Sequence, residues 1–325
     1  MSGPGCATAY WTVAPGRGEL REEPLPEPGA GEALVRALHS GISRGTELLV
    51  HRGAVPAAVA DRMRAPFQEG TPPGPVKYGY LSVGLVEQGP RELLGRPVFC
   101  LFPHQDRYVV PAVALTPLPP GVPARRAVLA GTVETAVNAL WDAAPRLGDR
   151  VAVVGAGMVG CAVAALLRSF PLQRLQLVDV DPGRRSVADT LGVDFVEPAD
   201  AVVECDLVLH ASGSSAGLAR SLELLGDEGE VIELSWYGTR DVSVPLGAAF
   251  HARRLAVRAS QVGQVAAARR ARRTHADRLG LALELLRDDA FDALLTGASP
   301  FAELPGTMAR LASGQLRALC HVVDY

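Results

Sequence analysis

Three glycines in Val151-Ala-Val-Val-Gly155-Ala-Gly157-Met-Val-Gly160 follow an apolar run and open an Ala- and Leu-rich stretch. At this spacing Gly155 permits a sharp turn, Gly157 lets backbone approach a bound anion, and Gly160 lets a helix pack closely on a strand. The N–H groups of Met158 and Val159 would begin that helix, whose positive end suits a pyrophosphate. Asp179 follows 19 residues after Gly160, at an expected strand end where a carboxylate can accept hydrogen bonds from ribose hydroxyls. Together these residues predict a dinucleotide site. The charge of Asp179 would repel a 2′-phosphate and favours NAD, while Arg184, beside Arg185, could receive that phosphate and leaves NADP possible. Ser212, just past a later strand, joins the expected cofactor contacts.

The elements that must position these residues alternate. Strands are expected at 150–154, 174–180, 206–211, 230–234 and 255–260, with helices at 158–170, 183–191 and 215–225 between them. Strand–helix alternation predicts βαβ units and a doubly wound parallel sheet. The first 120 residues are instead rich in Pro and Gly, with short strands such as 33–38, 81–86, 97–101 and 108–110. The texture changes near Leu118–Pro123, after which 124–130 and 132–144 read as helices. The tail reads as a long helix over 264–287, a short helix over 305–312 and a closing strand over 317–324. The expected division is a β-rich domain over 1–121, completed by 263–325, with a Rossmann domain over 122–262 inserted in it.

This order resembles the medium-chain dehydrogenase/reductase family, and four segments carry the likeness. They are Gly41-Ile-Ser-Arg-Gly-Thr-Glu47, Gly79-Tyr-Leu-Ser-Val-Gly-Leu-Val86, Ala130-Gly-Thr-Val-Glu-Thr-Ala136 and the glycine motif from Gly148 to Gly160. The resemblance implies a GroES-like catalytic domain, an α/β Rossmann domain, a homodimer joined through the last Rossmann strands around 242–260, and a nicotinamide contact at Thr135. Zinc-dependent members hold a catalytic metal with a Cys, a His and a further Cys or acidic residue. At the matching positions this chain has Ser43 or Arg44, Tyr80 with Leu81, and Gly131 or its neighbours, which implies no bound metal. The segments around Ser43 and Lys77 are similar to a branch that includes the bacteriochlorophyllide hydroxyethyl dehydrogenases. That points to a secondary alcohol or ketone on a larger ring-containing compound.

Without zinc, other groups must move the hydroxyl proton and stabilise the oxyanion. The resemblance places Tyr80 at the histidine-ligand position, with Lys77 close by in sequence; a nearby ammonium would lower a phenol pKa. Thr46 matches a proton-passing hydroxyl, and Glu47 could orient Arg44 or cap a short helix. Glu134 could act as base or bind substrate, and His104 lies on a loop that the family uses around its substrate. An enone or quinone reductase, or a nicotinamide-binding protein without catalysis, are the competing readings.

Composition bounds the partners. The chain has 325 residues and a formal net charge of −3, with Lys77 the single lysine among 32 basic residues. The arginine run from Arg269 to Arg273 lacks interleaved aromatics and reads as a solvated helix face, so no nucleic acid is expected. Five cysteines without a C-x-x-C pair suit a reducing compartment. Neither a secretory leader nor a membrane span is expected, which predicts a cytoplasmic enzyme with a small-molecule substrate.

Overall fold

The computed structural model describes residues 5–247 and 249–325. The chain forms two compact units. One comprises the residues up to Gly131 with Leu279–Arg287 and Leu295–Tyr325; the other comprises Thr132–Arg278 and Asp288–Leu294.

The second unit carries a six-stranded sheet in the spatial order Asp194–Val196, Arg174–Val178, Arg150–Val154, Cys205–His210, Leu225–Glu233, Ala256–Ala259, every neighbouring pair parallel. Counted along the chain this is the doubly wound order 3-2-1-4-5-6, whose reversal point lies between Arg150–Val154 and Cys205–His210. Those two central strands are almost wholly buried, as a sheet covered by helices on both faces requires. One face packs a core that includes Ala152, Val208, Leu222 and Val231.

The first unit is the expected β-rich domain. Its seven-stranded sheet centres on the long strand Glu32–Ser43, which pairs with Cys320–Asp324, Ser82–Gln88 and Arg107–Pro111. A four-stranded sheet joins the hairpin Cys6–Ala14/Arg17–Pro24 to Val76–Lys77 and Glu69–Gly70. The strand Cys320–Asp324 runs antiparallel to Glu32–Ser43, so it lies in this unit.

The structure moves both expected boundaries. Texture changes near Leu118, yet the helix Ala124–Ala127 packs on Glu32–Ser43 and Ser82–Gln88 and stays with the first unit. At the far side the second unit extends to Arg278 because that guanidinium is buried inside it. Its Nε donates to Glu134 at 3.0 Å, Nη1 to Asn138 at 2.5 Å and Nη2 to the Val262 carbonyl at 2.5 Å. The long helix expected over 264–287 is only His275–Leu285. Thr274 and Asp277 explain its start: the Asp277 N–H donates to Thr274 Oγ1 at 3.1 Å while the Thr274 N–H donates back to Asp277 at 2.8 Å. This reciprocal cap begins the helix after the arginine run, which therefore lies on exposed turns rather than on a helix face. Among the described residues of 242–260 only Ala256–Ala259 is a strand. Among the described residues no helix is long and apolar enough to cross a membrane.

Two outcomes follow from charges placed out of water. Arg278→Ala strands the Glu134 carboxylate and is expected to cost about 3–5 kcal/mol in chemical denaturation, with Arg278→Met/Glu134→Leu recovering much of the loss. His51 is buried, its Nδ1 is 3.2 Å from the Tyr10 hydroxyl and its Nε2 has no partner. Burial, then Arg52, pushes its pKa below the ordinary 6.5. The unfolded chain therefore binds this proton first, so stability is full above pH 6.5 and is lost as pH falls below it. Melting temperatures recorded between pH 8 and about 5 should drop less in His51→Gln than in wild type.

Candidate functional site

In the Rossmann unit the three glycines each meet the demand set by their position. Gly155 has φ +107°, and a Cβ there would lie 2.6 Å from the Ser212 nitrogen. A Cβ at Gly160 would lie 1.8 Å from the Gly155 oxygen. Gly157, by contrast, faces open space and caps the helix Met158–Leu167 with no side chain on its N–H groups. That is the free, positive helix end an anion needs. Asp179 stands one residue beyond Arg174–Val178, accepting from the Ala156 N–H at 2.6 Å and the Asp181 N–H at 2.9 Å. Its carboxylate is thereby locked beside the glycine turn. Arg184 pairs with Asp181 at 3.3 Å, which draws it toward a carboxylate instead of leaving it for a 2′-phosphate. Thr135 sits half-buried in the helix Ala130–Ala143.

Glu134, expected as a base or substrate ligand, is buried and bonded to Arg278. Burial raises its pKa while the guanidinium opposes the shift. In the fold it holds Arg278, in the first turn of the helix His275–Leu285.

In the β-rich unit a row of polar groups surrounds Tyr80. The Tyr80 hydroxyl donates to Ser43 Oγ at 2.7 Å and also has a side-chain hydrogen bond with Thr46. Ser43 precedes the short helix Arg44–His51, and its N–H donates to Glu47 Oε1 at 2.7 Å. Glu47 thus caps the helix, one of the two roles its sequence position suggested. Its other oxygen faces His104 Nε2 at 2.8 Å, while His104 Nδ1 faces Ser40 Oγ at 2.7 Å and Ser40 reaches the Tyr325 hydroxyl at 3.0 Å. His104 and Glu47 are both buried. Gly79, with φ +135°, is needed because a Cβ would come 2.9 Å from the His104 ring.

The expected Tyr80–Lys77 pair is not formed. Lys77 Nζ donates to Glu23 at 2.7 Å and Gln105 at 3.0 Å, pairs with Glu69, and lies 5.7 Å from the Trp11 ring centre. The single lysine ties together the strands of the four-stranded sheet. Without it, burial and then the Glu47 charge push the Tyr80 phenol up to about 12, despite hydrogen bonds with Ser43 and Thr46 that act the other way. Tyr80 is therefore a neutral proton donor at neutral pH, not a phenolate.

Ser43 and Tyr80, two of the residues that the resemblance sets against the family's metal ligands, form this hydroxyl pair, and among the described residues no three His, Cys, Asp or Glu side chains are grouped to hold a metal. Sequence reasoning passed over Ser40, Tyr325, His210 and Glu233. The only local signal among them was His210 two residues before Ser212.

No protein-family model matches the chain. A short chain alcohol dehydrogenase from E. coli CFT073, complexed with NADH, superposes with a TM-score of 0.78 at 15% identity, over 99% of this chain and 100% of that one. At this identity the likeness gives the shared fold, a parallel Rossmann sheet with a β-rich second unit. Among curated relatives, an alcohol dehydrogenase of Cupriavidus necator is 24% identical over 73% of this chain and 78% of its own length. The 2-desacetyl-2-hydroxyethyl bacteriochlorophyllide A dehydrogenase of Rhodobacter capsulatus is 28% identical over 70% of this chain and 71% of its own.

The same geometry fixes what Lys77 does. Lys77→Met should lower the melting temperature, by removing a buried cation from two carboxylates, and leave the affinity for NADH unchanged in a fluorescence titration.

Proposed function

We propose that this chain is a zinc-independent oxidoreductase that moves a hydride between a nicotinamide dinucleotide, NAD in preference to NADP, and a secondary alcohol or ketone. The observation that carries this reading is the Tyr80–Ser43 hydroxyl pair, 2.7 Å apart, standing where zinc-dependent members would place metal ligands. When bound, the nicotinamide supplies or accepts the hydride. In the ketone-to-alcohol direction the Tyr80 hydroxyl turns its proton from Ser43 Oγ to the oxygen that has gained the electron pair of the broken carbonyl π bond. Thr46 and Ser43 hold the Tyr80 oxygen in place. The buried Glu47–His104 pair fixes the entry to the helix that carries Thr46. A donor whose pKa is about 12 keeps its proton throughout the neutral range. The NAD preference rests on Asp179 at the ribose position and on Arg184 being drawn to Asp181.

The likeness to the Rhodobacter capsulatus protein supports a secondary alcohol carried on a larger ring-containing compound. The exposed edge strand Ala256–Ala259 supports a homodimer paired through that edge, which sedimentation of the purified protein would test.

Purified protein should carry no stoichiometric zinc by elemental analysis and keep its turnover in a chelator. Tyr80→Phe should lower turnover with a ketone about a hundredfold, the scale of a lost general acid, with NADH affinity intact. Near-normal turnover of Tyr80→Phe, with activity on enones or quinones but not on ketones, would replace this reading by double-bond reduction.

A further inference from the structure

The glycine turn of the Rossmann unit meets a second group of residues at the reversal point of its sheet. His210, the last residue of Cys205–His210, is fully buried. Its Nδ1 faces Glu233 Oε2 at 2.8 Å and Oε1 at 2.9 Å, and its Nε2 faces Ser212 Oγ at 2.6 Å. Glu233 ends the neighbouring strand Leu225–Glu233 and also accepts from the Ser235 N–H at 2.6 Å and the Tyr237 hydroxyl at 3.0 Å. Ser212 Oγ lies 2.9 Å from Ser214 Oγ, which accepts from the Gly217 N–H at 3.0 Å. Ser212 is exposed, and its backbone is the surface that forbids a side chain at Gly155.

For a neutral His210 imidazole the donors along this row follow one order. An ionised carboxylate only accepts, so His210 Nδ1 carries the ring proton and Nε2 is left as the acceptor. Ser212 then gives its single proton inward to Nε2. Ser214, already accepting from Gly217, gives its proton to Ser212. Every proton in the row runs toward Glu233; Ser212 Oγ also accepts from the Ser214 N–H at 3.3 Å, so the lone pair left open at the rim of the hydroxyl pair is on Ser214 Oγ. Burial alone would raise the Glu233 pKa, but the bonds from His210 and Ser235 hold it below the ordinary value. An apolar pair at these two strand ends would pack the sheet without the desolvation cost of a buried imidazole and carboxylate.

We propose that His210 and Glu233 are positioning residues that hold the Ser212–Ser214 hydroxyl pair as a hydrogen-bond acceptor for the bound dinucleotide. The group accepted is a neutral donor, a ribose hydroxyl or a carboxamide N–H. A phosphate would meet only lone pairs backed by a buried negative charge, and the helix end at Gly157 is the place for it. This inference rests on the dinucleotide site of the proposed function. It adds that the oxygens at the sheet's reversal point are aimed from behind, by two side chains that do not themselves touch the ligand.

The test is NADH affinity, measured by titration calorimetry on the full chain. Ser212→Ala, His210→Gln and Glu233→Gln should each raise the Kd about tenfold, the scale of one hydrogen bond backed by a charge. The double variant His210→Gln/Ser212→Ala should bind no more weakly than Ser212→Ala alone, because His210 acts through Ser212. Ser212→Thr, which keeps the hydroxyl, should bind close to wild type. Glu233→Gln, the closest isostere, stands in should His210→Gln fail to fold. Single variants that bind NADH as tightly as wild type, or losses that add in the double variant, would overturn the inference alone. A wild-type chain that binds neither NADH nor NADPH would overturn it together with the proposed function.

Discussion

A charge taken out of water must meet a partner, and the layout of this protein follows from where that happens. Lys77, Glu47, Glu134 and His210 are all buried, and each is held by a group of complementary character: Glu23 and Glu69, His104, Arg278, and Glu233. Apart from Glu69, whose carboxylate is exposed, the partners are themselves at least partly withdrawn from water, where screening is weaker. Lys77 binds the strands of the small sheet together. Glu134 draws Arg278 inward and so fixes where the Rossmann unit ends. Glu47 holds both the start of a helix and the imidazole of His104, and through that helix the hydroxyl of Thr46.

The two units use this constraint for different ends. In the β-rich unit the buried Glu47–His104 pair stays behind a front of hydroxyls, Tyr80, Ser43 and Thr46, and the Glu47 charge helps keep the Tyr80 proton in place. In the Rossmann unit the backbone comes first. A glycine turn presents bare N–H groups where an anion would sit, and Asp179 is clamped to that turn by two backbone donors. Positive helix end, fixed carboxylate and outward serine oxygens then offer one dinucleotide three distinct kinds of contact.

Legibility in the sequence followed the range of the interactions. The strand–turn–helix around Gly155 was readable because its constraints act over six residues, and the structure repeats them as close approaches. The alternation of strands and helices beyond it was readable for the same reason, as was the return of the tail to the first domain. The arginine run was misread as a helix because its composition suits one. The Thr274–Asp277 cap starts the helix after the run, and residues near Val262 and Gln264 are instead held by Arg278. Lys77 was noticed because it is the only lysine, yet nothing local could say that its ammonium turns to Glu23, 54 residues away.

What the sequence by itself determined is the set of local conformations: the glycine turn and the parallel βαβ order. These depend on backbone sterics and on side-chain chemistry that no packing can alter. What only the tertiary structure decided is which charges face which. His104 meets Glu47 across 57 residues, Arg278 meets Glu134 across 144, and His210 meets Glu233 across 23. The physical reason is that an ion pair is selected by burial and distance in space, and neither is written in the spacing of residues along the chain.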